Sequence, residues 1–210
     1  MNNILIADPH PITELGLEAL MKNEPDYKII GKVSTGNELF KFLRKSIPDV
    51  LVMEIDLPQI NGITALRTIK AEYPTTKIFI FSSHSEEMYA LSAIKAGASA
   101  YLAKSSKPAV ILQAIKQVAR GGIFLNEKIT EKLNTPSKNQ LVSRYQKLST
   151  REMEVLNLLS NGKRNKDIAE ALNINEKTVS TYKTRLLKKL KIDNLADLIN
   201  QSRLLEFKTT

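Results

Sequence analysis

The chain of 210 residues has no cysteine. That excludes disulfides, Cys-ligated zinc, iron–sulfur clusters and thiol catalysis. It has two histidines, His10 and His84, too few for a multi-histidine metal site. Long apolar runs are missing as well. The N-terminal stretch from Ile4 to Ala7 is far shorter than the ~18–20 residues of a membrane span. It also lacks the length and flanking charge of a secretory signal. A soluble, cytoplasmic protein is the expectation. No phosphate-cradling glycine motif, nucleophile–base pair or metal cluster stands out, so an enzyme is not expected.

What the chain does have is a core and an excess of positive charge. Hydrophobic residues make up 42%, and 31 Lys and Arg against 22 Asp and Glu give a net charge of +9. The length suits one large domain or two small ones. A basic balance favours nucleic acid or an anionic surface as partner without choosing between them. The location of the charge sharpens this. Residues 1–134 hold 16 basic and 14 acidic groups, a net +2, whereas residues 135–210 hold 15 and 8, a net +7.

The near-neutral N-terminal part alternates two patterns. Short apolar runs read as buried strands at Ile4–Ala7, Lys28–Val33, Val50–Glu54, Lys77–Ser82 and Ala98–Leu102. Segments with helical spacing lie between and after them, for instance Ile63, Leu66 and Ile69, or Val110, Ile111, Ala114, Ile115 and Val118. Five strands alternating with five helices imply parallel strands joined by right-handed crossovers. The fold expected is α/β, a doubly wound five-stranded parallel sheet over 1–125. Functional residues should gather at the C-terminal strand ends.

A linker is expected over 126–147, where Asn134-Thr-Pro-Ser-Lys-Asn-Gln140 carries turn-forming residues. From 148 to 210 the pattern is all-α, with four helices. Ser149-Thr-Arg-Glu152 is a capping box opening a helix that turns Val155, Leu156 and Leu159 inward. Gly162 ends it, and Asn165 is placed to cap a short helix bearing Ile168, Ala169 and Leu172. The break Asn173-Ile174-Asn175 precedes a longer helix from Glu176 to Leu190, and a last one runs from Leu195 to Leu205.

Helix, tight break and helix form a helix-turn-helix unit. On the longer helix, Val179, Leu186 and Leu190 with part of Tyr182 form the packed face. The opposing stripe carries Lys177, Ser180, Thr181, Thr184 and Lys188, flanked by Lys183 and Arg185. Short hydroxyl side chains let a helix approach base edges, and Lys or Arg reaches flanking phosphates. Free N–H groups at the start of the helix, beside the Thr178 hydroxyl, suit a phosphate. The plainer alternative is a solvated basic face. Against it stands an ordered set of residues: Leu148-Ser-Thr-Arg-Glu-Met-Glu-Val-Leu156, Gly162, Asn165-Lys-Asp-Ile-Ala169, Leu172 and Glu176-Lys-Thr-Val179. This set resembles the LuxR-type helix-turn-helix of the NarL/FixJ family. The resemblance implies groove-facing roles for Ser180, Thr181 and Thr184, and phosphate contacts from Lys177, Thr178, Lys183, Arg185 and Lys188. It also implies a dimerisation role for the last helix through Leu195, Leu198 and Ile199, against the alternative of simple packing. Tyr182 stands where many family members carry His.

The N-terminal domain resembles the receiver domain of bacterial response regulators. The marks are Ala7-Asp8-Pro9-His10-Pro11, Pro48-Asp49-Val50, Leu57-Pro58, Asn61-Gly62, Ser82, Ala96-Gly97-Ala98, Tyr101 and Lys104. The resemblance implies a phosphoacceptor Asp, a pair of acids holding Mg²⁺, a Lys on the phosphoryl oxygen and a switch hydroxyl with a rotating aromatic. Asp8, Lys104, Ser82 and Tyr101 match. Two positions depart. Pro9 replaces the second acid and offers no oxygen. Glu54 replaces the acceptor and sets its carboxylate one methylene farther out. A displacement of ~1 Å can cost ~100-fold in such chemistry. Mg²⁺ binding is therefore not expected, although Asp8 remains a candidate ligand. Ordinary phosphorylation is not expected either, and Asp56, two residues beyond Glu54, is a poor substitute acceptor. Glu54 is instead placed to pair with Lys104 and imitate the phosphorylated state, or simply to stabilise the fold through that pair. His10 reads as a helix-start residue.

The function expected is a DNA-binding transcription regulator: an atypical response regulator independent of aspartyl phosphorylation, acting on double-stranded DNA as a homodimer. A sensor kinase or another protein could meet the receiver; a membrane is not expected as partner. The alternatives are a conventionally phosphorylated regulator and a receiver-based interaction scaffold.

Overall fold

The computed structural model describes residues 1–125, 144, 145 and 147–207, the last five by backbone alone. Most of the expected linker lies outside the described residues. Tyr145, assigned to that linker from the sequence, is buried and joins the hydrophobic core of the C-terminal domain.

The N-terminal domain alternates as the apolar pattern requires: β1 (Asn2–Ala7), α1 (Pro11–Met21), β2 (Tyr27–Val33), α2 (Gly36–Leu43), β3 (Val50–Met53), α3 (Gly62–Glu72), β4 (Lys77–Ser82), α4 (Glu86–Lys95), β5 (Ala100–Ala103) and α5 (Pro108–Ala119). All strand pairs are parallel, in the order β2-β1-β3-β4-β5. The central strands are apolar throughout because helices cover both faces. Leu5, Leu51 and Ile80 face one layer with α3 and α4, and Ile4, Val52 and Phe79 face the other with α1 and α5. The chain reverses between β1 and β3, so the ends of those strands, Asp8 and Glu54, lie side by side at the switch point.

β5 starts two residues later than the apolar run suggests. Gly97, at φ 108°, ends α4, and the Ala98 N–H still bonds to the Ala93 carbonyl. Ala98 therefore belongs to the helix cap. Glu54, read as the last residue of the third strand, lies just past β3.

The C-terminal domain has four described helices: α6 (Thr150–Ser160), α7 (Asn165–Leu172), α8 (Glu176–Leu190) and α9 (Leu195–Phe207). The Ser149–Glu152 capping box forms as expected, with reciprocal bonds of 3.3 and 2.7 Å. Gly162 leaves α6 at φ 73°. The cap of α7 corrects the sequence reading. Arg164 is the N-cap residue, its N–H bonded to Asp167 at 3.0 Å. Asn165 is thereby freed to reach α8. Asn175 caps α8, and Val179, Leu186 and Leu190 are buried under it as expected.

Gly62 opens α3 where the backbone passes close to Ile55. A Cβ there would lie 2.2 Å from the Ile55 carbonyl oxygen. That oxygen belongs to the loop carrying Glu54 and Asp56, so the loop can lie flat only on glycine. Gly62→Ala should destabilise the N-terminal domain by about 1–3 kcal/mol, read as a lower denaturation midpoint.

Candidate functional site

Four chain segments build a pocket at the C-terminal edge of the sheet: the ends of β1, β3, β4 and β5. Lys104 follows β5, and its backbone N–H is held by the Ser82 carbonyl at 2.8 Å. Its ammonium projects between two buried carboxylates, 2.6 Å from Asp8 Oδ2 and 3.0 Å from Glu54 Oε2. The other Asp8 oxygen accepts from the His10 N–H at 2.8 Å. His10 Nδ1 lies 2.8 Å from that oxygen and 2.9 Å from the Lys104 ammonium. His10 thus starts α1, as expected, but its ring also forms a wall of the pocket. Pro9 sits between Asp8 and His10 and brings no ligand atom.

Glu54 is 1% exposed, and both of its oxygens are engaged. Oε1 accepts from the N–H groups of Ile55 and Asp56, at 2.6 and 3.3 Å, and from the Ser82 hydroxyl. Oε2 accepts from the Ser83 N–H at 3.0 Å and its hydroxyl at 3.3 Å, besides Lys104. Burial pushes the Glu54 pKa up. The Lys104 charge and the bonds from Ser82, Lys104 and Ser83 outweigh burial and hold it below the ordinary value.

Ser82 Oγ also accepts from the His84 N–H at 3.2 Å, and the buried Tyr101 hydroxyl donates to the His84 carbonyl at 3.2 Å. Burial raises the Tyr101 pKa, and the Glu54 charge adds to the rise. The His84 Nε2 lies 2.6 Å from Asp56 Oδ2. The remaining Asp56 oxygen accepts from α6 and its C-cap: from Asn157 at 3.1 Å and Asn161 at 3.4 Å. Burial again works against these partners, and they win, leaving the Asp56 pKa below the ordinary range. Asp8, Glu54, Ser82 and Lys104 are thus brought together. Tyr101 and Asp56 join the same network through His84.

The packing of α6 on the N-terminal domain was not expected from the sequence. Besides the Asp56 bonds, Asn61 donates to Asn157 at 3.3 Å. The fully buried Glu154 accepts from Thr64 at 3.3 Å and pairs with Arg67 at 3.4 Å and Arg151 at 2.9 Å. The sequence signal was the spacing of Glu154, Asn157 and Asn161, three and four apart. It is a polar stripe beside the apolar face of α6.

The second candidate surface is the outward face of α8. Lys177, Ser180, Thr181, Thr184, Arg185 and Lys188 are exposed, and Lys183 is half-buried. The Lys183 ammonium donates to Asn165 at 3.2 Å, and the Arg185 guanidinium lies 5.8 Å from the centre of the Tyr182 ring. At the start of α8 the Thr178 N–H and hydroxyl both donate to Asn175 Oδ1, at 2.7 and 2.9 Å, so Thr178 is engaged by the helix cap. On α9, Leu198 is buried in the bundle, which matches the packing alternative for that residue. Leu195 and Ile199 are half-buried.

Comparison with known proteins matches both parts. Residues 4–116 match the response regulator receiver domain, and residues 146–201 match the bacterial regulatory proteins of the luxR family. The chain is a response regulator. Among its relatives, the uncharacterized transcriptional regulatory protein YhcZ of Bacillus subtilis is 34% identical, covering 90% of this chain and 89% of that one. The transcriptional regulatory protein DegU of Brevibacillus brevis is 31% identical, covering 95% and 92%. Among solved structures, RcsB of Salmonella enterica serovar Typhimurium, bound to a promoter with a phosphomimetic, superimposes with a TM-score of 0.83 at 24% identity, over 96% of this chain and 98% of that one. That likeness shows the fold. With its luxR-type domain, this response regulator is a DNA-binding transcription regulator.

A receiver fold implies a divalent cation beside the acceptor. Asp8, His10 and Glu54 do place potential ligand atoms within 4.8 Å of one another. The residues present nevertheless do not fit Mg²⁺, which wants several oxygen ligands in an octahedron. Pro9 offers none, both Glu54 oxygens are engaged, and the Lys104 ammonium lies against both carboxylates.

Two outcomes follow for the receiver of this response regulator. Glu54→Ala strips Ser82, Ser83 and Lys104 of a buried acceptor and should cost about 3–5 kcal/mol in chemical denaturation. The lowered Glu54 pKa stabilises the fold fully above the ordinary value of 4.5, and this contribution is lost as the pH falls through the lower folded-state pKa. Acid titration should therefore show stability declining below that value, with a shallower decline in Glu54→Gln.

Proposed function

We propose that this response regulator controls transcription without aspartyl phosphorylation, its receiver held in the signalled form by Glu54, and that it binds DNA as a homodimer. The observation that carries the reading is the Glu54 carboxylate. It meets the Lys104 ammonium and the Ser82 hydroxyl, the two groups that a phosphoryl oxygen engages in the receivers this domain resembles. Tyr101 is fully buried with its hydroxyl on the His84 carbonyl, the inward position expected once the switch hydroxyl has been drawn in. An added phosphoryl group would have to displace these partners, and no second metal-binding acid stands at Pro9 to offset its charge. Asp56, the other candidate acceptor, has both oxygens bound by His84, Asn157 and Asn161.

The exposed stripe on α8 is the DNA-reading surface. Ser180, Thr181 and Thr184 meet base edges, while Lys177, Lys183, Arg185 and Lys188 meet phosphates. The excess charge of the C-terminal part supplies the sequence-independent attraction. Relatives named as transcriptional regulatory proteins, and the promoter-bound RcsB of like fold, agree with this use. A dimer would set one α8 in each of two half-sites about 34 Å apart. Leu195 and Ile199 on α9 are half-buried, leaving part of each apolar side chain open for the contact. A cytoplasmic setting follows from this role, and no described helix is long and apolar enough to cross a membrane.

Incubation with a small phosphodonor and Mg²⁺, read by intact mass, should leave the chain unmodified. A stable gain of about 80 Da would overturn phosphorylation independence. Binding to a duplex selected from a random library should weaken with added salt, log K falling by ~0.9 per phosphate neutralised for each tenfold rise in salt. Lys188→Ala should reduce that salt slope by about 1, and Thr181→Ala should relax base preference at one position.

A further inference from the structure

We propose that Asp56 is a positioning residue that fastens the DNA-binding domain to the receiver, and that the two domains held this way are the form that binds DNA. The inference rests on the DNA-binding reading above and adds how the receiver contributes to it.

The attachment is polar and specific. Asp56 presents one carboxylate oxygen to Asn157 and Asn161 and the other to His84. Hydrogen bonds to an ionised acceptor are about twice as strong as those between neutral groups. Two further points hold the same helix. Asn61 donates to Asn157, and the buried Glu154 is met by Thr64 and Arg67 from α3. A buried carboxylate of this kind is tolerated only with partners in place, so α6 is matched to one receiver face.

Asp56 is itself set by the acid pocket. The Asp56 N–H donates to Glu54, and the His84 N–H donates to Ser82, which in turn donates to Glu54. The position of the Asp56 side chain therefore depends on both sides on the Glu54 carboxylate. The chain of contacts runs from Lys104 through Glu54 and Ser82 to His84, then to Asp56 and into α6.

Docking leaves the reading surface open. With α6 against the receiver, Ser180, Thr181, Thr184, Arg185 and Lys188 on α8 remain exposed. The receiver thus braces the DNA-binding domain without covering it. A braced domain reaches its half-site without first being ordered. In a dimer, fixed geometry raises the effective concentration of the second reading helix.

The test uses the full chain, whose lack of cysteine allows spin labels at two introduced sites, Glu72→Cys on α3 and Glu170→Cys on α7. The distance between them is measured in the parent, in Asn157→Asp and in Asn157→Ala/Asn161→Ala. Affinity for a duplex selected by the parent is measured at one salt concentration. Asn157→Asp keeps the shape and sets a second carboxylate against Asp56. The expected result is one narrow distance in the parent and a broad distribution in both variants. Affinity should fall about tenfold or more, while circular dichroism shows both domains still folded. A narrow distribution in the variants overturns the proposal, as does equal or tighter DNA binding. A parent that selects no duplex at all overturns the DNA-binding reading together with this proposal.

Discussion

An ammonium set between two buried carboxylates organises this molecule. Lys104 lies within 3.0 Å of both Asp8 and Glu54. Burial works against the charge on Glu54, and the Lys104 ammonium is the strongest of the partners that offset it. The pair in turn commits the rest of the pocket. Once Glu54 is ionised, the Ser82 and Ser83 hydroxyls and three backbone N–H groups turn toward it. The β3–α3 loop and the start of α4 then take a single arrangement. Gly62 allows that arrangement, since any side chain there would strike Ile55.

The longer acid at position 54 acquires its meaning from this setting. One added methylene carries the carboxylate to the hydroxyl and the ammonium directly. Pro9 fits the same scheme: with Lys104 supplying the positive charge, a second acid would add repulsion instead of holding a cation. Under the function proposed above, Pro9 and Glu54 are complementary, one carrying no acid and the other a carboxylate already paired with Lys104. Through Asp56 and His84 the same network reaches α6, the helix against which α8 is packed.

Much of this was legible in the sequence. Alternating apolar runs dictated the sheet, and the capping box and glycine dictated the limits of α6. The pairing of Glu54 with Lys104 followed from where the motifs fall. What escaped were features that periodicity does not encode. The start of β5 depended on Ala98 completing a helix cap. Asn165 was read as a cap because cap residues are recognised by type, whereas Asp167 made Arg164 the better start. The Thr178 donors were engaged by Asn175, a contact between two residues that each look suited to another task. The face between the domains was hidden because Glu154, Asn157 and Asn161 look like ordinary solvated positions on an amphipathic helix. Only a partner surface bearing Asp56, Asn61, Thr64 and Arg67 shows otherwise.

The most direct measurement compares DNA affinity in wild type and Glu54→Gln at equal salt, with the fold of both confirmed. Glutamine keeps the length and one acceptor oxygen but removes the charge that holds Lys104 and Ser82. Weaker binding by Glu54→Gln, with wild-type affinity unmoved by a phosphodonor, is the result this account predicts. Equal affinity in the two proteins would contradict it, reducing the Glu54–Lys104 pair to a support of the fold.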